Sequence, residues 1–299
     1  MALFVPPIKC QGIKTKLVPW VNEVLGSTQY SKWIEPFMGS GVVGFNIQPK
    51  RAQFSDSNPH LIRFYTALQT KEITASIVKD FLESEGEILR STNGEHYYAV
   101  RERFNTSGNP LDFLFLNRAC FNGVMRFNSK RKFNVPFCKK PERFAQAYIT
   151  KICNQVMYTQ EIIRNNDYTF TVMDFRQALE KATPNDFVYC DPPYIGRHVD
   201  YFDSWEEKDE FALHELLKNA NSNFILSTWH SNEYRNNDYI QSLWHSYNLL
   251  TRAHFYYVGA SEDNRKPMLE ALLTNLDTSS IKEQVAPEQM LLAIEPAMA

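Results

Sequence analysis

Trp33-Ile34-Glu35 runs into Pro36-Phe37-Met38-Gly39-Ser40-Gly41, and an apolar stretch, Val42–Ile47, follows without a break. Three strand-type residues, a glycine loop and a helical run form the first part of a βαβ unit. The chain returns through residues 52–55 as a second strand that ends in Asp56. Asn58-Pro59 then has the composition of a helix cap followed by a first-turn proline. A crossover of this kind makes its strands parallel and right-handed. The unit therefore predicts an α/β chain whose ligands bind beyond the carboxyl ends of the strands. Gly39 and Gly41 let the backbone come close to a ligand. A carboxylate at position 56 can accept hydrogen bonds from both hydroxyls of a ribose.

Taken alone, the loop divides evenly between a dinucleotide and S-adenosyl-L-methionine, because Gly44 completes a formal GxGxxG pattern. A dinucleotide would rest its pyrophosphate on the helix N-terminus. Glu35, immediately before the loop, would repel pyrophosphate and suits a cofactor carrying an ammonium or sulfonium cation. A second motif points the same way. The buried-strand run Phe187–Cys190 ends in Asp191-Pro192-Pro193-Tyr194. Two consecutive prolines remove two backbone donors and fix φ twice, so the loop is stiff and its carbonyls face outward. A carboxylate, a fixed carbonyl and an aromatic face then converge on a small space that fits the exocyclic amino group of a flat base. The plainer reading of the same residues is a strand ending in a proline turn, with Tyr194 packed on the surface.

Alternation of strands and helices stops between about residues 71 and 148. Helices are predicted over 15–25, 73–89 and 97–104, and again over 205–218 and 236–245. Further strands are predicted over 168–172, ending near Asp174, and over 223–227. Residues 255–258 and 270–274 are expected to close the sheet as a hairpin around the loop 259–267. This gives a discontinuous catalytic domain of residues 1–66 and 149–276, an inserted domain of residues 67–148, and a poorly ordered polar tail at 277–299.

A chain of 299 residues suits one large domain or one with an insertion, and its hydrophobic fraction of 43% supports a core. The net charge of −2 means that any surface for nucleic acid must be local. One segment supplies it: residues 118–143 carry eight basic residues against Glu142 alone. Asn117, Asn122, Asn128 and Asn134 alternate there with Phe121, Phe127, Phe133 and Phe137. Cations for phosphates, amides for base edges and aromatic rings for stacking are the mixture a DNA reader needs. Asn128-Ser129-Lys130-Arg131-Lys132 has the pattern of a hairpin tip. A solvated basic surface over a phenylalanine core is the alternative. The five cysteines include no CxxC pair, which fits a reducing cytosol better than a disulfide framework. The histidines lack metal-ligand spacing, so no metal is expected. No secretory signal or membrane-spanning run is read from the sequence.

Together these segments resemble the Dam-type (D12 class, alpha group) N6-adenine DNA methyltransferases. The residues carrying the resemblance are Ile8, Lys9, Gly12 and Lys14; Glu35, Pro36, Phe37, Gly39 and Gly41; and Asp56 and Asn58. They continue with Leu116, Asn117, Arg118, Phe121, Asn122, Gly123, Arg126, Phe127 and Asn128; Phe133 to Phe137; and Cys190 to Tyr194. They follow the family's order from about residue 4 to 276. Two positions depart from it. Phe121 stands where many members carry Tyr, and Cys10 stands where they carry Trp.

The resemblance implies a Rossmann-like S-adenosylmethionine-dependent methyltransferase sheet with an inserted, mostly helical DNA-recognition domain carrying a β-hairpin. It implies methyl transfer from S-adenosyl-L-methionine to a flipped adenine in double-stranded DNA, leaving S-adenosyl-L-homocysteine, with no metal. Asp191, Pro192, Pro193 and Tyr194 are the implied catalytic residues. Lys14, Glu35, Phe37, Gly39, Gly41, Asp56, Asp174, Phe175 and Asp191 are assigned to the cofactor. Lys9, Asn117, Arg118, Phe121, Asn122, Arg126, Asn128, Lys130, Arg131 and Pro136 are assigned to DNA. The expected setting is a cytoplasmic monomer of a bacterium, archaeon or phage, modifying GATATC at its first adenine alongside a restriction endonuclease without a stable complex. An orphan Dam-like enzyme with another site, N4-cytosine methylation, glutamine or RNA methylation, and a non-catalytic DNA-binding module are the rivals. Glutamine methylases typically carry Asn at the position of Asp191, and N4-cytosine enzymes commonly carry Ser. A binding module has no use for Asp56 or the glycine loop.

Overall fold

The computed structural model describes residues 3–195, 205–232, 234–255 and 267–281. Among the described residues, seven strands form one sheet: β1 (Trp33–Glu35), β2 (Arg51–Asp56), β3 (Asp167–Val172), β4 (Phe187–Cys190), β5 (Asn223–Ser231), β6 (Asn248–Phe255) and β7 (Pro267–Thr274). Their spatial order is β3-β2-β1-β4-β5-β7-β6. The strands from β1 to β5 pair in parallel, and β7 runs antiparallel between β5 and β6. Strand order reverses between β1 and β4, so a crevice opens beyond their carboxyl ends, where open α/β sheets bind ligands.

The central strands are buried on both faces, as a covered parallel sheet requires. Trp33 of β1 stacks against Phe187 and Tyr189 of β4, with ring centroids 5.3 and 5.8 Å apart. The helices are α1 (Val18–Leu25), α2 (Val42–Ile47), α3 (Pro59–Gln69), α4 (Ala75–Ser91), α5 (His96–Ser107), α6 (Pro110–Ala119), α7 (Gln146–Arg164), α8 (Phe175–Leu179), α9 (Glu207–Ala220) and α10 (Asp238–Ser242). Gly41 starts α2 from a left-handed conformation with φ of 70°. Gly44 brings α2 against β2, since a Cβ there would meet the Phe54 ring at 2.3 Å. Asn58 caps α3 by accepting from the His60 N–H at 3.0 Å, with Pro59 in the first turn.

Between α3 and α7 the chain adds no strand to the sheet. It forms α4, α5 and α6, then a hairpin with antiparallel bridges Cys120↔Phe137 and Phe127↔Phe133. The core beneath it is continuous with that of the sheet: Val78, Leu82, Phe104, Phe113 and Phe133 belong to the same cluster as Trp33, Phe45 and Phe54.

Several boundaries differ from the sequence reading. Residues 15–17 form a 3-10 turn, and the α-helix begins only at Val18, with Pro19 in its first turn. α6 had not been read as a helix because it is buried on every side from Phe113 to Ala119, which erases the amphipathic stripe that periodicity reads. β6 starts at Asn248, well before the expected strand at residue 255. Residues 256–258, most of the loop 259–267 and the tail from 282 lie outside the described residues, as do residues 196–202 of the stretch after Tyr194. Among the described residues, no helix is long and apolar enough to cross a membrane.

Candidate active site

Asp191, Pro192, Pro193 and Tyr194 leave β4 at the switch point. The first turn of the chain meets them there. Lys14 caps the 3-10 turn Thr15–Leu17, and its side chain is only 5% exposed. Its ammonium lies 3.0 Å from Asp191 Oδ1, donates to the Gly12 carbonyl at 3.1 Å and sits 4.7 Å from the centroid of the Tyr194 ring. Asp191 keeps 23% of its side chain exposed. Burial raises its pKa above the ordinary carboxylate value, Lys14 opposes that rise, and Glu270 adds to it. Tyr194 packs against Trp229 of β5, and its hydroxyl donates to Glu270 Oε2 at 2.5 Å.

The residues assigned to the cofactor converge on the same edge. Asp56 closes β2, where its carboxylate accepts from the Gly39 N–H at 3.0 Å and the Asn58 N–H at 2.9 Å. This ties the glycine loop to the end of the neighbouring strand. Gly39 and Gly41 have φ of 49° and 70°, and a Cβ on Gly41 would strike the Phe45 ring at 2.5 Å. Cys10 approaches from the N-terminal segment: a Cβ on Gly39 would lie 3.9 Å from its sulfur. Burial first, then the charges of Asp56 and Asp191, push the Cys10 thiol well up. Phe37 stacks on Phe175 at 5.3 Å, and Trp205 meets Phe37 edge-on at 5.5 Å, building an aromatic wall. Asp174 is exposed beside that wall, and its carboxylate caps α8 through the Arg176 N–H at 2.9 Å.

Glu35 lies apart from the expectation. It is 2% exposed, accepts from the Trp33 indole N–H at 2.9 Å and is turned beneath Gly44. Burial pushes its pKa up to about 8. It is therefore held largely as the neutral acid near pH 7 rather than as the open anion expected beside a cationic cofactor.

The residues assigned to DNA separate into two groups. Asn117 and Arg118 are corrected: both are buried and used internally. Asn117 clamps the Lys9 backbone, accepting from its N–H and donating to its carbonyl, each at 2.8 Å. Arg118 donates to the Pro7 carbonyl at 2.7 Å, and its remaining nitrogens reach Tyr148 and Gln155. A buried guanidinium must be bonded in this way, and the sequence could not say whether its partners were phosphates or the chain itself. Together the two side chains strap residues 7–9 to α6, and the strap continues to Cys10 and Lys14. Lys9 is half-buried over Gly123 and the Tyr148 ring.

The other group lies on or near the surface. Phe121 is 54% exposed, and Asn122 follows it with φ of 53°. The Phe121 N–H donates to the carbonyl of exposed Pro136 at 2.9 Å. Arg126 is oriented by Asn134 Oδ1 at 3.0 Å. At the tip, the Asn128 side chain accepts from the N–H groups of Lys130 and Lys132 at 2.9 and 3.0 Å, and Arg131 turns with φ of 56°.

The sequence reading missed two members of this constellation. Cys10 had been noted only as a departure from a family pattern. Glu270 had been assigned to a strand and given no role, although it is a lone charge in the run Leu269-Glu270-Ala271-Leu272-Leu273, which is a legible signal of a buried polar contact.

Residues 11–258 match the family described as D12 class N6 adenine-specific DNA methyltransferase. A modification methylase, StsI, from Streptococcus sanguinis is 28% identical over 290 residues, covering 92% of this chain and 43% of that protein. DNA adenine methylases from Haemophilus influenzae and Serratia marcescens are 32% identical over 196 residues and 34% over 167, covering 63% and 54% of this chain. The chain spans 43%, 63% and 57% of the lengths of these three relatives.

Proposed function

This chain belongs to the D12 class of N6 adenine-specific DNA methyltransferases, and from that premise we propose that it transfers a methyl group to adenine N6 in double-stranded DNA. The observation that carries the reading is the Asp191 carboxylate, held by buried Lys14 at 3.0 Å where β1 and β4 part, with the stiff Pro192 backbone beside it. Such a pair can accept both protons of an exocyclic amino group and draw its lone pair out of conjugation with the ring.

The donor set around the glycine loop fits S-adenosyl-L-methionine. Asp56 offers a carboxylate at the end of β2, the Phe37–Phe175 wall suits a flat adenine, and Lys14 and Asp191 offer paired charges. When bound, this group supplies a methyl on a sulfonium. The protein's own part is positioning and electrostatics. Asp191 orients the amino nitrogen, Lys14 favours the ionised form of Asp191 and fixes it in place, and Tyr194 provides an aromatic wall for the base. Extruding a base costs on the order of a few kcal/mol, and Phe121, exposed on the surface, would fill the vacated position. Asn122, Arg126 and Pro136, with Asn128, Lys130 and Arg131 at the tip, form the DNA-facing surface of a recognition region at residues 67–148, and Lys9 of the N-terminal segment adjoins it over Gly123. Residues 1–66 and 149–276 supply the chemistry.

Resemblance of residues 4–19, 113–140 and 190–202 to the EcoRV modification methyltransferase supports GATATC as the site, with the first adenine modified. The relative named as a modification methylase supports a place in a type II restriction-modification system; there the protein would work as a cytoplasmic monomer with no stable endonuclease complex. Labelled methyl transfer to duplex DNA, followed by nucleoside analysis, tests the reaction. N6-methyladenine is expected; N4-methylcytosine or an unlabelled duplex rejects the reading. Plasmid treated with the enzyme and challenged with a panel of restriction enzymes identifies the site.

A further inference from the structure

Glu270 is the charged exception on a strand whose buried neighbours are Ala271, Leu272 and Leu273, and it has no exposed surface at all, at 0%. Burying a carboxylate is costly unless hydrogen bonds offset it, and an apolar side chain would suit the core better. The antiparallel register of β7 places Glu270 opposite Trp229 of β5 and Arg252 of β6. Its Oε2 accepts the Tyr194 hydroxyl at 2.5 Å, a contact across 76 residues of sequence. The same ring packs on Trp229 and lies 4.7 Å from the Lys14 ammonium, which pairs with Asp191. The loop after β4 is thus held from two sides: Lys14 fixes its acid, and Glu270 fixes its aromatic ring.

Resting on the methyltransferase reading above, we propose that Glu270 is a positioning residue for the reaction, locking the tilt of the Tyr194 ring so that an extruded base meets a fixed wall beside Asp191. Glu270 touches no reacting atom and acts through Tyr194. Loss of the lock leaves donor binding intact but lets the base sample non-productive poses. A misplacement of this kind lowers kcat rather than donor affinity. It also weakens capture of the flipped base.

The test is a double-mutant cycle on the full chain, comparing Glu270→Gln, Tyr194→Phe and the pair. Readouts are kcat, KM for donor, and the fluorescence of duplex carrying 2-aminopurine at the adenine found to be methylated. Each single change is expected to lower kcat about tenfold with donor KM within about twofold, and the double variant should be no worse than the worse single, because one change removes the hydroxyl and the other the charge of the same interaction. The 2-aminopurine signal should fall in all three. Losses that multiply to about a hundredfold overturn the proposal, as does wild-type kcat in Glu270→Gln. If Glu270→Gln fails to fold, Tyr194→Phe carries the test alone: the ring stays and the hydroxyl goes, so an unchanged kcat overturns the lock. Wild-type protein that methylates adenine while Glu270→Gln matches it removes only this inference. Wild-type protein that leaves duplex adenine unmethylated removes the functional reading and the inference with it.

Discussion

The edge of the sheet and the tip of the hairpin solve opposite problems. At the edge, three side chains are held by fixed partners: Asp191 by Lys14, Tyr194 by Glu270, and Asp56 by the Gly39 and Asn58 N–H groups. At the tip, Lys130, Arg131 and Lys132 are exposed, and the recorded order comes from backbone N–H groups converging on Asn128. Chemistry needs donors and acceptors fixed before substrate arrives, since reorganisation at the moment of reaction raises the barrier. Cations that contact phosphates gain from counterion release whatever their resting rotamer. On the proposed function, burial and preorganisation mark the reacting centre, and exposure on a turn marks the reading surface.

The largest expected effect breaks the gripped side. Asp191→Ala should lower kcat by about a thousandfold or more while donor binding, followed by equilibrium dialysis, largely survives. Asp191→Asn keeps the shape should the alanine variant unfold. Equal loss of transfer and binding would make Asp191 mainly a donor ligand. On the other side, Lys130→Ala with Lys132→Ala should weaken duplex binding about tenfold and cut the salt slope of log K by about two, with kcat on saturating DNA unchanged. A salt slope equal to wild type would remove both from the interface. Arg126→Ala should relax site selection at one position, costing about 1–3 kcal/mol of discrimination. Unaltered restriction-protection patterns would count against it.

Two smaller effects come from pH. Asp191 accepts protons from the amino group only when ionised, and burial raises its pKa. Activity should therefore fall on the acid side at a pH above the ordinary carboxylate range, in the kcat/KM profile that reports the free enzyme. Lys14 opposes the rise, so Lys14→Met should move that limb further up. An acid limb unmoved by the substitution would separate the two residues. Glu35 tests the frame rather than the site. Its pKa rises from 4.5 to about 8 on folding. Below the lower value the group is neutral in both states and its contribution is complete. Between the two values the unfolded chain ionises while the folded chain keeps its proton, so stability falls as pH rises, by roughly 1.4 kcal/mol per pH unit from this group. Glu35→Gln should flatten that slope in denaturant titrations at pH 5, 6.5 and 8. An unchanged slope would show that Glu35 ionises normally.

Much of the fold was legible because it is local. The strand–glycine loop–helix–strand–acid run, the apolar stretch Phe187–Cys190 and the caps at Asn58 and Pro59 act over a few residues, and the structure repeats them nearly residue for residue. α6 was illegible because burial all round leaves no periodicity, and β6 was misplaced because it starts at Asn248, ahead of the aromatic run on which the reading relied. At the site, residue types at Asp56 and Asp191 announced their chemistry. The partner of each side chain did not follow from type.

Residue order alone determined the parallel unit, the loop that approaches a ligand and the acid-proline-proline-aromatic corner, since backbone sterics and hydrophobic period are fixed by neighbours in the chain. Tertiary structure alone decided that Asn117 and Arg118 face inward, that Lys14 reaches Asp191 and that Glu270 holds Tyr194. A charged or amide side chain bonds to whichever complementary group folding brings within about 3 Å, and that group is chosen by strand order and register across dozens of residues.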